Sequence, residues 1–297
     1  MTQPHAPDPH PLSSMDLERL RPTLHRYCAR MVGSALDGED IVQDALVRAL
    51  ESAPPDQPIA NPEGWLFRIA HNLALDLLRR RARANGTQEE DDMDLIVHPV
   101  DELARREAAA AALPTFMHMP ASQRSVVILF DVLDYSAEEV GEILGTTVPA
   151  VKSLLQRGRS RLRELVGQTA AAGKRAALSA AEEGLLRRYV ELFNAHDFDT
   201  LRTMLAADVQ LDLVNRVRLQ GPAVGEYFTR YKQAPGWRAW PGLVEGRPAV
   251  LIQQQALAEP RRPDYVVVLD WSGERVSTIR DFLFARYAMA DLEHSSL

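Results

Sequence analysis

The stretch Tyr135–Leu165, YSAEEVGEILGTTVPAVKSLLQRGRSRLREL, reads as two helices joined by a tight turn. Ser136 and Glu139 have the spacing of a capping box, in which hydroxyl and carboxylate each satisfy a backbone N–H at a helix start. Val140, Ile143 and Leu144 then recur at helical spacing. Gly145 stops the first helix, because a left-handed terminal residue carries no Cβ penalty in glycine. Thr147 can cap the second helix and Pro149 falls in its first turn, where a missing N–H is harmless. That helix turns Val151, Leu154, Leu155 and Leu162 inward and is expected to show Lys152, Arg157, Arg159, Arg161 and Arg163 outward. Cap, glycine turn and one-sided charge together form the layout of a DNA-binding helix-turn-helix. The other reading of the same residues is a helical hairpin with a solvated basic face.

Outward from this stretch, the 297 residues suffice for two or three domains. Apolar content of 46% and charged content of 25% are ordinary for a globular chain. The net charge of −7 argues against nonspecific coating of nucleic acid. The single cysteine, Cys28, excludes an internal disulfide and a cysteine-based zinc site, and fits a reducing cytoplasm. No apolar run is long enough to span a membrane, and MTQPHAPDPHP does not read as a signal peptide. Its four prolines make residues 1–13 an expected disordered tail.

Residues from about Met15 to Met31 read as a helix with Leu17, Leu20, Leu24 and Tyr27 on one side. DGEDIVQDALVRALES follows, with Asp37, Glu39 and Asp40 expected in its first turn, where the macrodipole favours acids. Ile41, Val42, Ala45, Leu46, Ala49 and Leu50 supply its apolar positions. Asp40, Gln43, Asp44 and Arg48 remain for solvent or a partner. After a proline-rich loop comes NPEGWLFRIAHNLALDLLRRRAR, Asn61–Arg83. Trp65, Leu66, Ile69, Leu73 and Leu77 form its stripe, and Asn72, Asp76, Arg79 and Arg80 lie on its polar side. Asn and Arg can address base edges, and Arg also neutralises phosphate. Trp65 reads as core rather than as a base-stacking platform. Glu89–Asp94 holds five acids among six residues, which marks a linker. Val126, Val127, Leu129, Phe130 and Leu133 then supply the core beneath the helix-turn-helix.

These segments, in this order, resemble regions 2 and 4 of a bacterial RNA polymerase sigma factor. The absence of a third region resembles the extracytoplasmic-function (ECF) group. The resemblance covers residues 14–166. It implies a factor that binds the polymerase core, through the β′ coiled coil and the β flap, and directs promoter-specific initiation. It places Asp40, Gln43, Asp44 and Arg48 at the β′ contact. It places −10 reading on Asn72, Asp76, Arg79 and Arg80, and −35 reading on Lys152, Ser153, Gln156, Arg157 and Arg159. Gly158 departs from the family, where alanine is commoner; glycine costs a helix about 1 kcal/mol.

The chain continues well beyond what such a factor needs. AAEEGLLRRYVELFNAHDFDTLRTMLAADVQLDLV suggests a helix with Leu185, Tyr189, Leu192 and Phe193 on one face, a turn at Asn194–Asp199, and a second helix face with Leu201, Met204 and Leu205. VQLDLV, RPAVLIQQQAL, PDYVVVLDW and VSTIRDFLFA read as four strands. Helices followed by a curved sheet, with FNAHDFDTLRTMLAADV, resemble a SnoaL-like (NTF2-like) α+β domain, a cone-shaped fold that some ECF factors carry at their C-terminus. The short tryptophan–proline and glycine-rich motifs of some such subgroups have no clear copy here; APGWRAWPGLVEGRPAV is nearest and points to a different subgroup.

The expected organisation is two all-α domains followed by this α+β domain: tail 1–13, region 2 at 14–84, acidic linker 85–112, region 4 at 113–167, linker 168–178, and the SnoaL-like domain at 179–291. SnoaL relatives include enzymes that use Asp and His as acid–base groups. Here His196 and Asp197 fall in a helix–helix turn and read as capping residues. Asp212, Trp237, Trp240, Trp271, Arg280 and Asp281 are the candidates for a pocket with a small-molecule ligand. No metal-ligand cluster, phosphate loop or nucleophile–base motif appears, so no cofactor, metal or catalysis is expected. The last domain is instead expected to regulate the sigma domains in cis. The alternative is a metabolite-sensing or enzymatic domain fused to a DNA-binding regulator.

Overall fold

The computed structural model describes residues 14–52, 59–85, 102–168, 178–233, 236–254 and 262–297. The expected tail, most of the acidic linker and most of the second linker lie outside the described residues. The chain forms two compact units, Met1–Ala171 and Ala172–Leu297.

The first unit is all helical. Helices α1 (Ser14–Val32), α2 (Ala35–Ser52) and α3 (Pro62–Asn85) come first. Then follow α4 (Glu102–Ala110), α5 (Leu113–Phe116), α6 (Ala121–Val127) with a π turn at Ile128–Val132, α7 (Ala137–Leu144) and α8 (Val148–Gln168). One apolar cluster runs through all of them, from Leu24 and Tyr27 through Phe67 and Phe116 to Val127, Val140 and Val151. Fully burying a side chain of this size stabilises by about 1.5–3 kcal/mol. Helix α2 starts two residues earlier than Asp37, with Ser34 Oγ accepting from Asp37 N at 3.0 Å. Glu39 therefore sits two residues deeper, past the first turn, buried and paired with Arg21 at 2.5 Å. Leu50, expected inside, is 48% exposed.

Polar ties join α1 and α3 to the helix-turn-helix inside this unit. Arg124, with no exposed surface, donates to the carbonyls of Met31 and of Met119, the latter at 2.7 Å. The Tyr135 hydroxyl donates to Glu63, and the Tyr135 ring meets Phe67 edge-on at 5.3 Å. Arg68 of α3 donates to the carbonyl of Glu142, one of the unbonded carbonyls at the C-terminus of α7.

The second unit is α+β. It runs α9 (Ala180–Asn194), α10 (Phe198–Thr203), β1 (Leu205–Leu213), β2 (Val217–Gln220), a 3-10 turn, and α11 (Tyr227–Gln233). Then come β3 (Trp237–Val244), β4 (Arg247–Gln254), β5 (Tyr265–Ser272), β6 (Arg275–Asp281), a second 3-10 turn and β7 (His294–Ser296). The sheet order is β2-β1-β6-β5-β4-β3-β7, with only β1 and β6 parallel among the pairs. This helix-then-sheet order agrees with the SnoaL-like architecture, and the expected strands correspond to β1, β4, β5 and β6. The second helix face does not extend as expected: α10 ends at Thr203, and Leu205 begins β1. Strands β2, β3 and β7 and helix α11 are additions. In β3, Pro241 and Gly242 mask the alternation that marks a strand.

One face of this sheet carries the core. Val209, Leu211 and Leu213 of β1 pack with Val250 and Ile252 of β4, Tyr265, Val267 and Leu269 of β5, and Val276 and Ile279 of β6. Leu186, Tyr189, Phe193, Phe198 and Phe228 from the helices cover them. Asn194 ties α9 to the sheet: its side chain donates to Ala239 O at 2.8 Å and accepts from Ala239 N at 3.0 Å.

Candidate nucleic-acid interface

Local sequence builds the helix-turn-helix as expected. The Ser136–Glu139 capping box is present, and Gly145 takes the left-handed conformation, φ 65° and ψ 37°. Thr147 Oγ1 accepts from Ala150 N at 3.4 Å, and α8 runs from there for 21 residues. Lys152 is exposed, while Ser153, Gln156 and Arg157 are half-buried.

Arg159 is a correction. The expectation was an outward, DNA-facing side chain, yet Arg159 is 7% exposed. Its guanidinium makes a two-pronged ion pair with buried Asp131, Nε to Oδ2 at 2.9 Å and Nη2 to Oδ1 at 2.5 Å, and it also lies over Phe130. A planar fork meeting a carboxylate side-on is the strongest geometry arginine has. The other basic side chains of α8 are partly engaged too: Arg161 with Glu164 at 3.1 Å and Arg163 with Glu107 at 3.5 Å. Gly158 also has a spatial reason. A Cβ there would lie 2.6 Å from Val127 Cγ2 and 3.1 Å from Gln123 O, so the missing side chain lets α8 approach α6.

Helix α3 presents a different face. Asn72, Asp76, Arg79 and Arg80 are all exposed, while Leu66, Phe67, Ala70, Leu73, Ala74 and Leu78 are buried. The polar set is held locally, by the ion pair of Arg79 with Asp76 at 3.2 Å and by Arg80 Nε donating to Asp76 O at 3.3 Å. Arg81 leaves it, pairing with Asp37 at 2.5 Å. His71 Nδ1 and the Tyr27 hydroxyl share a hydrogen bond of 2.7 Å. Burial first, then the Arg79 charge, lowers the pKa of His71 to about 4. Trp65 packs partly buried against the core. On α2, Asp44 and Arg48 are exposed and Asp40 and Gln43 half-buried. Val47 and Leu50 beside them are 53% and 48% exposed.

Two family models match the chain: Sigma-70 region 2 over residues 17–84, and Sigma-70, region 4 over residues 115–162. The ECF RNA polymerase sigma factor SigG of Mycobacterium tuberculosis is 30% identical over 314 residues, spanning 94% of this chain and 84% of that protein. The chain belongs to the ECF RNA polymerase sigma factor family. SigM of the same species is 36% identical over 145 residues, 48% of this sigma factor and 71% of SigM. Among solved structures, the M. tuberculosis sigma factor SigJ aligns over 91% of this chain and 95% of its own, with 22% identity and a TM-score of 0.35.

In this sigma factor the six residues expected to line a pocket in the second unit do not converge. Asp212 and Arg280 occupy the sheet face opposite the core and approach each other at 3.7 Å, with Arg218 at 3.6 Å from Asp212. Trp240 bonds Ser296 through Nε1 at 3.1 Å. Only Asp281, Trp237 and Trp271 share the core face. Asp281 is fully buried there and accepts from Tyr227 and Tyr231 hydroxyls at 2.9 and 2.7 Å and from Leu283 N at 2.8 Å. Desolvation raises its pKa, against the opposing pull of those hydrogen bonds. Asp197 caps α10, accepting from Thr200 N at 3.1 Å, and His196 stacks on Trp237.

Sequence reasoning missed Asp131 as the partner of Arg159, and the tyrosine pair around Asp281. Tyr227 and Tyr231 stand four apart, which is a helical signal. The neighbouring Pro222 and Gly225 obscured it.

Proposed function

We propose that α2 docks the polymerase core through Asp40, Gln43, Asp44 and Arg48, with the exposed Val47 and Leu50 adding apolar contact. Asn72, Asp76, Arg79 and Arg80 of α3 address the −10 element. Lys152, Ser153, Gln156 and Arg157 of α8 address the −35 element, and Arg159 holds α8 in place from below. The observation that carries this is the α3 surface: four polar side chains, two of them arginines, exposed on a helix whose other side is core. Exposed Arg neutralises phosphate and exposed Asn can bond a base edge.

The second unit acts as a regulator in cis rather than as an enzyme. Its candidate acids are divided between the two sheet faces, and Asp281 is already taken by three donors. Transcription from a promoter library with purified core enzyme tests both parts. Full-length factor should select a restricted promoter set, and deleting the residues after Gly173 should change output from that set. No affinity for core enzyme would sink the first part; unchanged output would sink the second.

A further inference from the structure

Where β1 and β6 end side by side, two arginines converge on one aromatic ring. The Arg216 guanidinium lies 4.9 Å from the centroid of Phe284, and that of Arg230, on α11, lies 5.0 Å from it. The backbone beneath the ring is tied down: Val214 N donates to Asp281 O at 3.0 Å, and Asn215 Nδ2 donates to Phe284 O at 3.4 Å. Both arginines are exposed, and neither guanidinium makes a hydrogen bond or close ion pair with another of the described residues. Most other arginines of this unit do, Arg187, Arg202, Arg218, Arg247 and Arg275 among them. Glu226, at helical spacing from Arg230, makes no ion pair with it. Arg230 also acts at longer range on buried Asp281, opposing its raised pKa, but that carboxyl already has three donors of its own.

From this geometry we infer that Arg216 and Arg230, on their Phe284 platform, form a binding site for the phosphate group of a small soluble anion. Sharing one ring keeps the two cations within about a Debye length, roughly 10 Å at 0.1 M salt, so their potentials add. A guanidinium stacked on a ring uses its flat face. Its N–H donors lie in the plane and stay unspent. Contact with the ring therefore costs neither guanidinium an N–H, and both keep their donors for the two-pronged contacts that phosphate accepts. A bound oxyanion would also relieve the repulsion of two like charges held near one ring.

The test is calorimetric titration of the full chain with inorganic phosphate at ionic strength fixed with chloride. Saturable binding is expected. Arg216→Gln and Arg230→Gln should each weaken it at least about tenfold, the loss of one charge-assisted contact. Phe284→Leu, which keeps both charges and removes the platform, should fall between these and the parent. Arg238→Gln, an exposed arginine on β3, should bind as the parent does. Matching circular dichroism melts confirm that each variant is folded. The inference is overturned by non-saturable heats, or by phosphate binding that survives in the Arg216/Arg230 double variant. It is overturned equally if that variant loses affinity for a non-promoter duplex while its phosphate titration is unchanged, because the partner would then be nucleic acid.

Discussion

Helices α3 and α8 both carry arginines at helical spacing, yet they use them in opposite ways. On α3, Arg79 and Arg80 stand in solvent with only Asp76 for company. On α8, Arg159 is buried and locked to Asp131, and Arg163 reaches Glu107 of α4, while Arg161 pairs only locally, with Glu164, as Arg79 does with Asp76. Net positive charge on a helix therefore does not measure the charge offered to DNA. What decides, residue by residue, is whether an acid of a neighbouring element lies within reach, as it does for Arg159 and for Arg81 but not for Arg79.

The sharpest way to break this comparison is to remove one arginine from each helix. Arg159→Ala strands buried Asp131 without a partner and should cost about 3–5 kcal/mol in urea unfolding. Arg79→Ala removes an exposed pair worth about 0–1 kcal/mol and should leave stability nearly unchanged while weakening promoter binding. If Arg159→Ala instead kept its stability and lost only −35 binding, the structural role of that residue would be refuted.

Gly158→Ala sharpens the contrast next. Helix propensity alone predicts a gain of about 1 kcal/mol. The Val127 contact at 2.6 Å predicts overpacking against α6 and a net loss of about 1–3 kcal/mol, read from the same unfolding curves.

On the DNA side, Asn72→Ala should relax discrimination at one −10 position by about 1–3 kcal/mol in competition assays with base-substituted promoters. Lys152→Ala should weaken all sequences alike and make the salt dependence of binding shallower by about one phosphate contact.

The smallest effect at neutral pH belongs to His71. Its folded pKa of about 4 lies below the ordinary 6.5, so the unfolded chain takes up the proton first. The neutral ring's contribution is fully present above pH 6.5 and is lost as pH falls toward 4. His71→Gln should flatten stability across that window; a parent curve already flat there would contradict the buried neutral ring.

Much of this was legible in the residues. The capping box at Ser136–Glu139, the stop at Gly145 and the stripe of α3 are local: each depends on side chains within about one helical turn. Leu50 and Glu39 were misplaced because their burial depends on where α1 crosses α2 and on Arg21, eighteen residues earlier in the chain. Strand β3 was missed because Pro241 and Gly242 break its pattern, while its partners β4 and β7 and the Asn194 clamp hold it in the sheet. The six pocket candidates illustrate the same limit. Alternation along a strand shows that Arg280 and Asp281 point to opposite faces, but not which face is covered.

The sequence by itself determined the order of the elements, the helix-turn-helix and the α+β class of the last unit. Those follow from caps, turns and apolar periodicity, which act between neighbours in the chain. Only the tertiary structure decided that Arg159 belongs to Asp131, that Gly158 serves a close helix crossing, and that Arg216 and Arg230 share a ring. Such outcomes arise between residues distant in sequence, where the desolvation of a charge or the volume of one methyl group outweighs any local preference.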